Sequence, residues 1–532
     1  MEALAWAGIV VACGAAATSL VARDPRLRAA AMLVALVLAP ILVAADVWDT
    51  ARFVELRDSP GRVVAALVAA AVGVGAVAIA MLRWPAALPL LIVGVLAFRI
   101  PVDVGGETSN LLIPLYLVVA AGAVAALVDA LRGEAAAEPN RAAGGGPVAR
   151  GIDLATWLLP WLLAAFLVLY ALQSAYSSDL SKATETAAFF LVPFAAMFAL
   201  LVGVRWTRPL LGALLVVVVA EAVLFVGIGV WQAAARELFW NPTVIAGNEV
   251  HTYFRVNSVF WDPNVLGRYL TLATLAAAAY MVWTPRSGRA AAAAAACGVL
   301  IVGLTLAYSQ SSVVALIAGL IVVIAPRWGP RWSLAAGAAA AVAAIALVLV
   351  SGVEPTSERS LDVRSSGRVT LLRGGLELAR DRPAYGYGSG SFQEEFSDRY
   401  LDVDEPEGGA VSHSEPVTIA AEQGAVGLVV YAAMVAAGLA ALLGAAPGLP
   451  AVRTALVACF VAMIVHSLAY AGFLTDPATW ALLGVGLALA RAPIPSPTGD
   501  RVEAPAADPE FRPRPPLTSP ETSPSSPGSA RR

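Results

Sequence analysis

The feature that most constrains this chain is an apolar run of about 20 residues that recurs from one end to the other. A run of that length crosses a hydrocarbon core of about 30 Å as a helix. Inside a bilayer no water serves the backbone amides and carbonyls, so a chain built from such runs folds as helices that satisfy themselves. The chain has 532 residues, of which 59% are hydrophobic and 14% charged, whereas about a quarter are charged in an ordinary soluble domain. The fold class that follows is all-α, a polytopic membrane helix bundle of about 12–15 transmembrane helices.

Arg, Asp, Gly and Pro bound the runs, and helices are expected near 2–21, 28–47, 62–82, 85–100, 110–130, 154–173, 184–203, 209–234, 264–283, 290–308, 311–325, 332–350, 416–443, 452–471 and 476–490. Short loops with arginine and little acid hold Arg23, Arg26, Arg28, Arg83, Arg132, Arg141, Arg150, Arg205, Arg208, Arg286, Arg289, Arg327, Arg331 and Arg453. If the helices alternate, all of these loops fall on one face, and the excess of positive charge makes it the cytoplasmic one. The acidic, turn-rich loops near 48–61, 101–109, 174–183, 235–263 and 351–415 fall on the other. The expected setting is therefore the inner membrane, with the N-terminus outside and the C-terminal tail inside. The N-terminal run has no basic segment before it and no small-residue cleavage site, so it reads as a first membrane helix.

Net charge is −3, with no basic block, which argues against a nucleic-acid partner. Lysine occurs once, at Lys182, among many arginines and alanines, a bias typical of a GC-rich bacterial genome. Cys13, Cys297 and Cys459 all sit in apolar segments without pairing or ligand spacing, so no metal site is expected.

Five regions follow from this pass: N-terminal membrane helices over 1–250, further helices over 251–350, an extracytoplasmic loop over 351–415, C-terminal helices over 416–491 and a Pro/Ser-rich cytoplasmic tail over 492–532. The tail lacks apolar periodicity and is expected to be disordered. Within the long loop, "SSGRVTLLRGGLELARDRP" reads as a helix with Ser366 as its cap and Pro383 as its stop. "YGYGSGSF" reads as a loop, since glycine at alternate positions does not sustain a helix, and a second short helix is expected near 390–400.

Three stretches carry candidate chemistry. In "SHSEPVTIAAEQGAVG", His413 precedes Ser414-Glu415-Pro416, which opens a helix with Ser414 as its cap. The positive end of that helix favours a neutral imidazole able to accept a proton. A plain solvated loop histidine is the other reading, and His251 and His466 read as peripheral or structural. In "YFRVNSVFWDPNVLGRYL", Asp262-Pro263-Asn264 starts a helix beside Arg255 and Arg268. Arg255 with Arg368, joined by Arg382 or Arg268, would supply the forked donors that suit a diphosphate. In "LAYSQSSVV", Ser309, Gln310, Ser311 and Ser312 place polar groups between two apolar runs.

Together these stretches resemble the O-antigen ligase and polymerase superfamily of membrane glycosyltransferases. The resemblance rests on Arg255 with Pro263-Asn264, the turn Tyr308–Ser312, Ser366-Gly367-Arg368 with Leu372, Pro383 with Gly386 and Gly388, and His413-Ser414 ahead of Gly424 and Gly427. It spans roughly 250–430, in the order the family shows. Gln310 stands where the family usually has arginine, Val411 where a first histidine often stands, and Glu415-Pro416-Val417-Thr418 replaces the usual aromatic run.

The resemblance implies an outer catalytic loop and transfer of glycan from a polyprenyl-diphosphate-linked donor to a glycan, lipid or protein acceptor, with no metal and no cofactor. His413 is then the candidate base, with Glu422 second. Arg255, Arg368, Asn264, Arg382, Gln310 and Ser414 are the candidate substrate-binding residues. Ligase and polymerase differ only in acceptor, and both stay open. A non-enzymatic flippase or polysaccharide transporter is the alternative. It would require intramembrane charges along a path, of which Glu221 is the clearest, and an internal repeat.

Overall fold

The computed structural model describes residues 2–48, 50, 53–54, 58–104, 107–133, 147–250, 253–328, 368–400, 412–492 and 494. His251, the run at 332–350, the stretches 351–367 (with Ser366 and Gly367) and 401–411 of the long loop, and the tail from 495 lie outside the described residues.

In chain order, α1 is Glu2–Val21, α2 Pro25–Asp46, α3 Pro60–Arg83 and α4 Ala87–Val95. A hairpin of β1 (Ile100–Val104) and β2 (Glu107–Leu111) leads to α5 (Ile113–Arg132) and α6 (Pro147–Gln173). Leu180–Thr186 (α7), a π-helical turn at Ala187–Leu191 and Val192–Val202 (α8) run on as one span. Then come α9 (Arg208–Ala235), α10 (Pro242–Val250), α11 (Pro263–Trp283), α12 (Ser287–Ala307) and α13 (Gln310–Trp328). The remaining described helices are α14 (Arg368–Asp381), α15 (Phe392–Tyr400), α16 (Glu415–Gly444), α17 (Pro450–Ser467) and α18 (Pro477–Arg491).

Eleven helices among the described residues are long and apolar enough to cross a membrane, and Gln310–Pro326 and Pro477–Arg491 are shorter apolar helices. The protein is a multi-pass, helical membrane protein.

The helix starts follow from local chemistry. Asp24, Asp262 and Asp476 each precede a proline, and each accepts a hydrogen bond from the amide two residues on (Arg26, Asn264 and Ala478) at 3.0, 2.6 and 2.9 Å. The carboxylate satisfies an orphan amide, and the proline occupies a first-turn position that needs no donor.

Prolines inside spans leave a carbonyl without its helical donor, and the fold supplies another. Pro193 frees the carbonyl of Phe189, which accepts from the Tyr116 hydroxyl at 2.8 Å. Pro160 frees that of Thr156, which accepts from Arg491 at 3.2 Å. The π-turn before Pro193 breaks what the apolar run alone predicts as an uninterrupted helix over 184–203.

The expected helix over 85–100 is likewise corrected. It ends at Val95, and the chain is extended from Ile100, because Pro101 disfavours helical backbone in the residue before it.

Alternation of the spans is visible in contacts between helix ends. Arg26 Nε donates to Ala130 O at 3.3 Å, joining the start of α2 to the end of α5. Trp283 Nε1 donates to Thr454 Oγ1 at 3.2 Å, joining the end of α11 to the start of α17. The Ala446 amide donates to Leu489 O at 3.3 Å, joining the α16–α17 loop to the end of α18. Trp6 Nε1 donates to Ala171 O at 3.0 Å, setting the start of α1 beside the end of α6, and Arg491 donates to Thr156 O near the start of α6. The arginine-bearing loops around Arg26, Arg132, Arg286 and Arg453 thus lie at one end of the bundle.

In the span Leu180–Val202, 72% of the apolar window is buried inside the protein, against 6% in α3. The first lies at the centre of the bundle and the second faces outward. Phe198 of α8 meets Trp480 of α18 edge to face at 6.5 Å, tying the N-terminal spans to the C-terminal ones.

Candidate active site

At the end of the bundle opposite the arginine loops, α16 is broken one third of the way along. Gly424 has φ +63° and ψ −161°, a conformation essentially restricted to glycine. The break removes the bonds that the amides of Ala425 and Val426 would make to the carbonyls of Ala421 and Glu422. Both sides find partners in the loop Pro383–Gly388. Ala425 N donates to Pro383 O at 2.8 Å and Val426 N to Ala384 O at 3.4 Å, while Tyr387 N donates to Ala421 O at 3.0 Å and Gly388 N to Glu422 O at 2.8 Å. The Gln423 carbonyl accepts from Gln173 Nε2 of α6 at 3.2 Å. The two glycine motifs of the sequence therefore meet as one stitched crossing, and irregular backbone sits at depth only because protein surrounds it.

Close approach enforces the glycines. A Cβ on Gly424 would lie 2.4 Å from the Ala384 carbonyl carbon, and one on Gly386 would lie 2.3 Å from that of Glu422. Glu422 is committed to the same crossing, its carboxylate accepting from the amides of Gly390 at 3.0 Å and Phe392 at 3.4 Å.

The second arrangement is a chain of polar groups between α11, α13 and α17. Asn264, capped in place by Asp262, accepts at Oδ1 from Ser309 Oγ at 2.9 Å and from Arg255 at 3.4 Å. Arg255 Nε also donates to the Ala307 carbonyl at 3.3 Å. Ser309 Oγ lies 2.8 Å from Ser312 Oγ. Ser311 and Ser312 place their hydroxyls 3.2 and 3.1 Å from His466 Nε2. Asn264, the three serines and His466 are all buried. Gly267 permits this closeness, since a Cβ there would meet Ser312 Oγ at 2.6 Å.

Tyr470 extends the chain to the loop histidine. Its ring centroid lies 5.7 Å from that of His466 and 5.9 Å from that of His413, with Arg268 Cζ 5.4 Å from the ring centre. Burial, with the Asp262 carboxylate nearby, holds its phenol above the ordinary range.

The α17–α18 loop that carries Tyr470 is fastened at two points. Glu415 accepts from the amides of Gly472, Phe473 and Leu474 at 2.7, 3.1 and 3.3 Å. Arg268 bonds Asp476 at 2.7 Å and the Gly472 carbonyl at 3.0 Å, while Arg99 lies 3.9 Å from Asp476.

His413 itself has φ +55°, left-handed backbone that costs an L-residue about 1–2 kcal/mol. Ser412 supports it by accepting from Ser414 N at 3.0 Å while its hydroxyl also meets Thr418. Ser414 occupies the cap position of α16 without making the side-chain cap bond expected of it, so Ser412 takes the local bonding role instead.

The structure thus gathers His413, Asn264, Arg255 and the serine turn into one neighbourhood. Gln310 opens α13 and is exposed, its three serine neighbours pointing inward. Arg382 lies on the glycine loop, stacked over Tyr387 at 4.2 Å. Arg368 begins α14, and its side chain lies outside the described residues. Arg268, one of the arginines considered for a diphosphate, is instead locked to Asp476.

Sequence reasoning missed His466, Tyr470, Glu415 and Asp476 as members of this neighbourhood. An ionisable residue inside an apolar span was the available signal for His466.

These features define a polytopic helical membrane protein with a dense polar site at one end. A family model described as O-Antigen ligase matches residues 293–432, from α12 through the break in α16 and including the His413 junction. That match supports a relationship of this segment to the O-antigen ligase and polymerase superfamily, and with it glycan ligation or polymerisation in general by a glycosyltransferase-like enzyme. No curated protein matches the chain.

Proposed function

We propose that the protein transfers glycan from a polyprenyl-diphosphate-linked donor onto an acceptor at the outer face of the cytoplasmic membrane, as a surface-polysaccharide ligase or polymerase. The observation that carries this reading is the unbroken run of polar side chains from His413 through Tyr470, His466, Ser312, Ser309 and Asn264 to Arg255, at the end away from the arginine loops. Charge asymmetry makes that end extracytoplasmic.

His413 takes the proton of the acceptor hydroxyl as its oxygen attacks the anomeric carbon of the donor. The bond from that carbon to the diphosphate oxygen breaks, and the electron pair leaves on the diphosphate. Arg255 and Arg368 hold the departing charge, because a planar guanidinium offers paired donors to phosphate oxygens. Two of the five donors of Arg255 serve Ala307 and Asn264, and the others are offered to the diphosphate. Asn264 fixes that arginine, while Gln310, Ser414 and Arg382 contact the glycan from the mouth. Glu422 braces the loop crossing and is not the base.

A photoreactive polyprenyl-diphosphate glycan tests where the donor binds. It is expected to label peptides covering 253–268 and 412–418. Labelling confined to 205–211 and 283–289, at the arginine-loop end, would overturn the placement.

A further inference from the structure

We propose that Tyr470 is a positioning residue for the transfer reaction, its ring forming the wall that sets the His413 imidazole in the orientation for proton abstraction. The inference rests on the reading of His413 as the base. His413 occupies left-handed backbone at a loop-to-helix junction, a conformation that persists when surrounding structure over-determines it. The neighbouring bonds of Ser412 fix the backbone. The ring packs against that of Tyr470, with centroids 5.9 Å apart.

Tyr470 is built to be that surface. Its amide donates to the His466 carbonyl at 2.9 Å, so its place is set from the end of α17. Its ring is flanked by the Arg268 guanidinium, 5.4 Å from the ring centre, and by the His466 ring at 5.7 Å. Glu415 closes the arrangement. It lies two residues beyond His413 and grips three successive amides of the loop that carries Tyr470, so the histidine and its wall move as one unit. The same ring neighbours both the His413 and the His466 rings and so joins the acceptor side of the site to the Asn264–Arg255 side.

The test is a kinetic double-mutant cycle on the full-length, reconstituted protein, using a polyprenyl-diphosphate oligosaccharide as donor. Tyr470→Met keeps volume in the loop without the ring and is expected to lower kcat about 10–100-fold with little change in KM, the size of loss that a misplacement of about 1 Å brings. Tyr470→Phe keeps the ring and should restore most of the rate. Added to His413→Gln, Tyr470→Met should cost nothing further, because both act on one proton transfer. Where Tyr470→Met does not fold, Glu415→Gln serves the same purpose, lowering kcat about 10-fold and again adding nothing to His413→Gln.

Losses that multiply in the double variant, or a Tyr470→Met effect confined to KM or to folded yield, would overturn the positioning role. A His413→Gln protein at full rate would instead overturn the base assignment on which it rests.

Discussion

His413→Gln is expected to lower glycan transfer about 10²–10⁴-fold, the usual contribution of a general base, while leaving insertion and thermal stability near those of the parent. Glutamine keeps a hydrogen-bonding side chain and does not take up a proton near neutral pH. The residue is half-buried in a junction whose local bonds are made by Ser412, so little core packing is lost. Single-turnover transfer per folded molecule, measured beside the melting temperature, separates chemistry from folding.

Glu422→Gln is the informative partner variant. Its carboxylate serves two loop amides, so the change should show first in stability and only through it in rate. Near-full transfer by His413→Gln together with a folded, inactive Glu422→Gln would reverse the two assignments.

Gly424→Ala is expected to be among the most damaging small substitutions at the described residues. The backbone conformation alone costs a residue with a Cβ about 1–3 kcal/mol. The new methyl would also stand 2.4 Å from the Ala384 carbonyl carbon and 2.5 Å from the Tyr385 nitrogen, backbone atoms that cannot turn aside. Overpacking of that kind adds about 1–3 kcal/mol. The four bonds stitching Pro383–Gly388 to the break would be lost together, and transfer with them. Gly73→Ala in α3 is the control, since a methyl there meets nothing within 4 Å and replaces glycine with a better helix former. It should melt at or slightly above the parent. Equal melting of the two variants, with transfer intact in both, would contradict the structural role given to the crossing.

The sequence announces its spans because the bilayer imposes length and polarity on each helix separately. Asp24, Asp262 and Asp476 before proline mark three helix starts locally, and the structure has a cap at each. The hairpin after Val95 and the π-turn before Pro193 were hidden, because a short apolar run and an interrupted one look alike in composition. The break at Gly424 was hidden for a related reason. The run from Glu415 to Gly444 is apolar enough to pass as one span, and only partners some 40 residues earlier reveal why a glycine stands there.

At the site, His413, Arg255 and Asn264 were legible because each sits at a helix mouth in a recognisable motif. His466 and Tyr470 were not. They lie on an apolar span and the loop after it, and their importance comes from helices crossing there. Glu415 reads locally as an ordinary first-turn acid, and its three amide partners lie 57 to 59 residues downstream.

The central claim is that this chain breaks the glycosyl–diphosphate bond of its donor and makes a glycosidic bond to the acceptor. Its most direct test is the fate of a radiolabelled polyprenyl-diphosphate oligosaccharide given, with an acceptor, to the purified protein in liposomes. The expected result is a lengthened or newly attached glycan, with free polyprenyl diphosphate released in equal amount. Recovery of the donor chemically intact, moved from one leaflet to the other, would contradict the enzyme reading and identify the protein as a carrier of lipid-linked glycan.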